Sequence, residues 1–256
     1  MEDQPLIQLE NREAIAILSF DHGKVNTIDI ELFTELIKQL ENLEKSECKA
    51  VVLTGAGSSF SAGVDLFRLL KDGNPYIEAF VPLLTNGLLK LFTFPKPLVA
   101  AVNGHAIAGG CIVACACDYR LMAEGNGKIG APEMLVGVPF PTLPLEILRF
   151  VVPKQHFQEI VYTGRLCSPK EAIGVGLIDE VVESENLLEH ALSIAERFAA
   201  IPIQSFQSTK RLMRQPVIDR FEKYRQIFDD EVMQIWKSEE IHAVIKGYLE
   251  KTIGKS

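Results

Sequence analysis

The chain has 256 residues, 47% of them hydrophobic and 23% charged, with a formal net charge of −8. This balance suits a folded globular protein and excludes a disordered one. The acidic excess, without any long basic stripe, argues against a nucleic-acid partner, because phosphates would be repelled.

In chain order, Ile15 to Phe20 predicts a strand, and Ile30 to Lys45 predicts an amphipathic helix with Leu32, Phe33, Leu36, Ile37, Leu40 and Leu43 on one face. Ala50-Val51-Val52-Leu53 is a buried strand that runs into a Gly/Ser-rich loop over 55–63. A short helix near Leu66 to Leu70 and a longer one around Ala79 to Leu91 follow. Leu98 to Val102 predicts another strand, and Gly110 to Cys117 a helix opened by Gly109-Gly110. Tyr119 to Ala123 is the next strand. The segment 130–144 reads as a loop containing Pro132, Pro139, Pro141 and Pro144. Ser168-Pro169-Lys170-Glu171 is a helix start: the Ser hydroxyl caps, Pro takes the first turn and Glu reaches back to the cap. Ile178 to Val182 is the last expected strand, and helices over 186–199, 202–214 and 218–250 complete the chain. Phe221, Tyr224, Phe228 and Val232 should form one apolar face, whereas Lys210, Arg211 and Arg214 should line a solvated one. Alternating strands and helices indicate an α/β protein.

Pro97 to Cys117 carries no formal charge and has the length of a membrane span, but Asn103-Gly104-His105 interrupts it. A strand, turn and buried helix account for it without a membrane. Five cysteines, an odd number, and the acidic start Met1-Glu2-Asp3 lead us to expect a reduced, intracellular, cytoplasmic protein, with an organelle matrix as the other option. Cys111, Cys115 and Cys117 lack the paired spacing of a zinc site and lie in an apolar run, so they are expected to pack rather than bind metal.

Three nucleotide or nucleophile motifs fail on inspection. Gly55-Ala56-Gly57 has Phe60 where a dinucleotide loop needs its third glycine. Ser61 has Ser59 in place of the glycine that opens a nucleophile elbow. Gly254-Lys255-Ser256 has Leu249 where a phosphate loop begins with glycine. What remains is a pair of small-residue turns, Ser61-Ala62-Gly63-Val64-Asp65 and Ala106-Ile107-Ala108-Gly109-Gly110-Cys111, each following an apolar run. Together they could aim two backbone N–H groups at one oxygen, the second from the positive end of a helix.

Four ordered motifs carry a resemblance. Phe60-Ser61-Ala62-Gly63-Val64-Asp65-Leu66, then Ala101-Val102-Asn103-Gly104-His105-Ala106 with Gly109-Gly110-Cys111, then Cys117-Asp118-Tyr119-Arg120, then Ala131-Pro132-Glu133 with Gly137-Val138-Pro139, resemble the enoyl-CoA hydratase/isomerase (crotonase) superfamily. The resemblance spans the whole chain, including Gly174-Val175-Gly176-Leu177-Ile178-Asp179. It implies a crotonase (ClpP-like) spiral of ββα units over 1–200 and a C-terminal helical trimerisation region over 201–256. It also implies an acyl-CoA thioester substrate, coenzyme A being part of that substrate and no separate cofactor being needed, and a homotrimer or dimer of trimers.

By the same matching, the Val64 and Gly109 N–H groups would hold the thioester oxygen and Glu133 would be the acid or base. Hydratases of this family resemble one another in having a second glutamate just after the Gly-Gly-Cys turn, where this chain has Ile112. One carboxylate suffices to move a proton from the α to the γ carbon, so the pattern resembles a 3,2-enoyl-CoA isomerase. Hydration of a specialised enoyl-CoA and a non-catalytic acyl-CoA-binding trimer stand as alternatives. The bulky Phe140-Pro141-Thr142-Leu143-Pro144, where hydratase-like members tend to carry a glycine-rich turn, would reshape the acyl pocket. His105 is read as structural or pocket-lining. The resemblance implies CoA contacts at Lys24, at the Ser61 and Ala62 backbone, at Asp65 and Arg68 or Lys71 after the first turn, and, from a neighbouring subunit, at Tyr248 and Lys251.

Overall fold

A computed structural model describes residues 5–253. Its first strands, β1 (Ile7–Arg12) and β2 (Ile15–Phe20), form an antiparallel hairpin. β1 was not expected. Only Ile7 of its six residues is fully buried, so an edge strand of this kind carries almost no periodic signal.

From β2 onward the chain winds through repeated units of two strands and a helix. β3 (Thr27–Ile28) leads to α1 (Ile30–Lys45), whose N-cap Asp29 accepts from the Leu32 N–H. β4 (Ala50–Gly55), β5 (Ser59–Ser61) and β6 (Gly63–Val64) lead to α2 (Leu66–Thr93). β7 (Leu98–Val102) and β8 (His105–Ile107) lead to α3 (Gly109–Ala116). β9 (Tyr119–Ala123) and β10 (Ile129–Gly130) lead to α4 (Glu133–Val136). Helices α5 (Thr142–Val151), α6 (Lys154–Thr163) and α7 (Pro169–Gly174) precede β11 (Glu180–Val182) and α8 (Leu187–Ala199). Two long helices close the chain, α9 (Ile203–Trp236) and α10 (Glu239–Ile253).

The large sheet runs β1-β2-β4-β7-β9-β11, parallel except for the first pair, while β10-β8-β5 and β3-β6 form two smaller parallel sheets. Each of α1 to α4 therefore follows a strand of a small sheet, as the ββα spiral requires. Both faces of the large sheet are covered. Ile15, Ile17, Val52, Val99 and Leu121 pack under α8, and the alternate residues Leu18, Val51, Leu53, Ala100 and Met122 face the main core. This two-sided burial is why β4 and β7 read as continuous apolar runs rather than alternating ones.

The two helices expected around 66–91 are both present, separated by a kink at Gly73, whose φ of 66° breaks the helical backbone, but other expectations do not hold. Segment 130–144 is not all loop, since α4 and the start of α5 lie in it, with Gly137 (φ 92°) ending α4 and Pro144 in the first turn of α5. No break occurs between 214 and 218, because α9 continues through Pro216. The carbonyl that Pro216 leaves without a donor belongs to Leu212, which is 77% exposed and open to water. The tail instead breaks at Ser238, whose Oγ accepts from the Ile241 N–H.

On α9, Phe221 and Val232 are buried, Tyr224 is half-buried and Phe228 is exposed. The basic run also departs from expectation, for Lys210 and Arg214 are buried while Arg211 stays exposed. Lys210 Nζ and Arg214 Nη2 both bond Asp118, at 2.7 and 2.8 Å. Arg214 also donates to the carbonyls of Phe92, Ala116 and Cys117, thereby capping the C-terminal ends of α2 and α3. Residues of the Cys117-Asp118-Tyr119-Arg120 motif are thus structural ties: Asp118 also accepts from the Leu98 N–H, and Arg120 pairs with Asp179 at 2.7 Å. Cys111, Cys115, Cys117 and Cys167 are buried in the main core.

Candidate active site

The two small-residue turns meet where β6 and the start of α3 pack together. A Cβ built on Gly63 would lie 2.6 Å from the Ile107 carbonyl oxygen and 3.2 Å from the Gly109 nitrogen. One built on Gly110 would lie 2.4 Å from the Ser61 carbonyl oxygen. Only bare backbone allows this approach.

Strand alternation then sets which way the amides face. Asp65 N–H bonds the Ile28 carbonyl at 3.1 Å, so the neighbouring Val64 N–H points away from β3. Gly109 is the first residue of α3, preceded by Ala108 in a strained conformation with φ of 50°. The Ala108 N–H is taken by the Gly130 carbonyl at 2.8 Å, and the Ile112 N–H returns to the Ala108 carbonyl. Gly109 N–H belongs to the first helical turn, which has no intrahelical acceptor.

Glu133 is the first residue of α4. The residue is half-buried, but its Oε2 is fully enclosed and has no hydrogen-bond partner. Burial pushes its pKa up to about 8, and a backbone hydrogen bond to its own amide offsets only part of that rise. Val64, Gly109 and Glu133 line one cavity of ≈ 110 Å³ together with Ala62, Ile112, Phe140 and Tyr248. Ile112 is 1% exposed, so an apolar wall stands where a second acid would be needed for hydration.

The other expected contact residues divide between the cavity and the rest of the fold. The side chains of Ser61 and Asp65 hold the turn together: Ser61 Oγ donates to the Asn26 carbonyl at 2.7 Å, and Asp65 caps α2 by accepting from the Arg68 N–H. Ala62 reaches the cavity, but its N–H bonds the Val25 carbonyl. Arg68 is held by Glu31, Asp29 and Asp72 and stacks over Tyr76, so its charge is largely matched within the chain. Lys24 and Lys251 are exposed and off the cavity lining. His105 is exposed too, its ring accepting from the Lys128 N–H. Tyr248, on α10, lines the cavity of its own chain.

Sequence reasoning missed Leu84 and Leu88 of α2 and Trp236 at the end of α9, all on the cavity wall. Trp236 is the sole tryptophan and stands two residues before the Ser238 break, the only hint it offered. A larger groove of ≈ 480 Å³ runs between residues 92–95 and α9, over Lys210 and Arg214. Those cations are already matched by Asp118 and helix-end carbonyls, and the groove contains no carboxylate, so the chemistry belongs to the smaller cavity. Among the described residues, no group of three or more His, Cys, Asp or Glu side chains is arranged to hold a metal.

A family model described as enoyl-CoA hydratase/isomerase matches residues 10–254. The chain belongs to the enoyl-CoA hydratase/isomerase family. Among its relatives, mouse mitochondrial enoyl-CoA delta isomerase 1 is 32% identical over 250 residues, covering 96% of this chain and 86% of that protein. A putative enoyl-CoA hydratase of Thermus thermophilus is 32% identical over 212 residues, covering 81% of this chain and 83% of that one. The crystal structure of human mitochondrial delta3-delta2-enoyl-CoA isomerase superposes with a TM-score of 0.93 at 29% identity, over 98% of this chain and 99% of that one. The family's crotonase fold is thus the fold of this chain.

Proposed function

We propose that this protein moves the double bond of a 3-enoyl-CoA thioester into conjugation, giving the 2-enoyl-CoA, with Glu133 as the only proton carrier. One observation carries the reading. Among the described residues, a single carboxyl lines the cavity, enclosed and unpaired, and Ile112 lines the same cavity where a second would be needed.

In this scheme the thioester oxygen accepts from the Val64 and Gly109 N–H groups. Loss of the α proton builds negative charge on that oxygen, and each preorganised donor stabilises it by roughly 3 kcal/mol. Glu133 takes the α proton, the C=C electrons shift, and the same carboxyl returns the proton at the γ carbon. Atoms balance without a redox partner, and coenzyme A enters as part of the substrate. A carboxyl with a pKa of about 8 is ionised in only about a tenth of molecules at pH 7, but it is a stronger base toward carbon than a solvated carboxylate.

The test is incubation of purified protein with 3-hexenoyl-CoA, followed by the ultraviolet absorbance of the conjugated product. Absence of product, or unchanged activity in Glu133→Gln, ends the proposal. Tyr248 favours a second reading, since it lines the cavity and its hydroxyl, if turned inward, would hold water for hydration. Formation of 3-hydroxyacyl-CoA from 2-enoyl-CoA would decide for it, while tight CoA-ester binding without turnover would indicate a non-catalytic binder.

The reading extends to a homotrimer or dimer of trimers. Leu212, Met213, Ile227 and Phe228 expose apolar surface along α9, which a second copy would cover, and sedimentation equilibrium would give the subunit number. No described helix is long and apolar enough to cross a membrane. The mouse, rat and human relatives are named as mitochondrial, so they lend no support to the cytoplasmic expectation and favour the organelle-matrix option.

A further inference from the structure

The proline-rich segment after Gly137 has a consequence for the size of the acyl group. Phe140, Pro144, Leu84, Leu88 and Trp236 all line the cavity. Trp236 is 3% exposed and pinned at both ends of the residue. Its Nε1 donates to the Pro139 carbonyl at 2.9 Å, and its own carbonyl accepts from His242 Nε2 at 3.1 Å. The next residue, Lys237, is tied to Glu78 of α2 at 2.5 Å. Pro139, Pro141 and Pro144 each fix their own φ, which limits how far the segment can give.

The space these residues line is ≈ 110 Å³. An apolar cavity of about 150 Å³ takes up a six-carbon ring, so this one has room for about four to six carbon atoms. Because Val64, Gly109 and Glu133 line the same space, the reacting carbons must come out of that allowance.

We propose that the cavity is a short-chain acyl site, for acyl groups of about four to six carbons, whose far wall is Trp236 braced by Pro139. The proposal rests on reading this cavity as the acyl site of an enoyl-CoA isomerase. A chain that overruns the wall must displace a buried indole and break its hydrogen bond. One methylene too many in a closed apolar pocket is worth roughly 10-fold or more in kcat/KM.

The experiment compares kcat/KM for 3-hexenoyl-, 3-octenoyl- and 3-decenoyl-CoA, together with calorimetric binding of saturated butyryl-, hexanoyl- and decanoyl-CoA. Expected for the wild type is a fall of at least ~10-fold from hexenoyl to decenoyl, matched by weaker decanoyl-CoA binding. Trp236→Leu and, independently from α2, Leu84→Ala should raise the decenoyl-to-hexenoyl ratio by at least ~10-fold. If Trp236→Leu does not fold, Leu84→Ala carries the comparison. Equal handling of all lengths by the wild type, or an unchanged ratio in the folded variants, overturns the proposal. A length cut-off in binding without double-bond migration would instead sink the isomerase reading and leave the size limit standing.

Discussion

Glu133→Gln should make the protein inactive and, at alkaline pH, more stable. The carboxyl titrates near 4.5 when unfolded and at about 8 in the fold, because Oε2 is enclosed without a partner. Between those values the folded chain holds one proton that the unfolded chain has released, so raising the pH favours unfolding. The separation of about 3.5 units, at about 1.4 kcal/mol each, amounts to about 5 kcal/mol lost by the wild type once the pH passes about 8. Glutamine has the same shape and no such titration. Urea unfolding of both proteins at one fixed protein concentration, from about pH 5 to about pH 9, should give a stability difference that widens with pH by about 1.4 kcal/mol per unit, then levels off. In parallel, wild-type kcat/KM should rise with pH toward a plateau above about 8, and the glutamine variant should be lower by roughly 10²- to 10⁴-fold. A difference that stays flat across the pH range would mean that the carboxyl is solvated, and the catalytic proposal would fall with it.

Gly63→Ala forces a Cβ to 2.6 Å from the Ile107 oxygen at a φ of 85°, which must part the two turns; kcat should fall by roughly 10²-fold or more, while circular dichroism stays close to wild type. Asp118→Asn leaves Lys210 and Arg214 buried without a counter-charge, and thermal or urea unfolding should report a loss of roughly 3–5 kcal/mol. Ile112→Glu places a second carboxyl on the cavity wall; a measurable rate of 3-hydroxyacyl-CoA formation, at reduced stability, is the expected result, and an unaltered product spectrum would show that the apolar wall does not decide against hydration.

The sequence by itself determined the elements whose signal is local. β2, β4, β7 and β9 are apolar runs, α1 follows its 3.6-residue period, and α7 opens with a complete capping box at Ser168 and Glu171. It also determined the small residues at 63, 109 and 110, because two backbones can meet only where side chains are missing. Tertiary structure decided whatever depends on partners distant in sequence. Lys210 and Arg214 look like solvated charges until Asp118 and two helix ends face them across the fold. Pro216 falls where a helix break is expected, yet α9 continues through it at an exposed stretch of the helix. Glu133 looks like a loop carboxylate, and its raised pKa comes from being enclosed, which no stretch of neighbouring letters encodes. Trp236 and Tyr248 reach the cavity only because α9 and α10 fold back over it, for burial and charge compensation are sums over neighbours that the chain brings together in three dimensions.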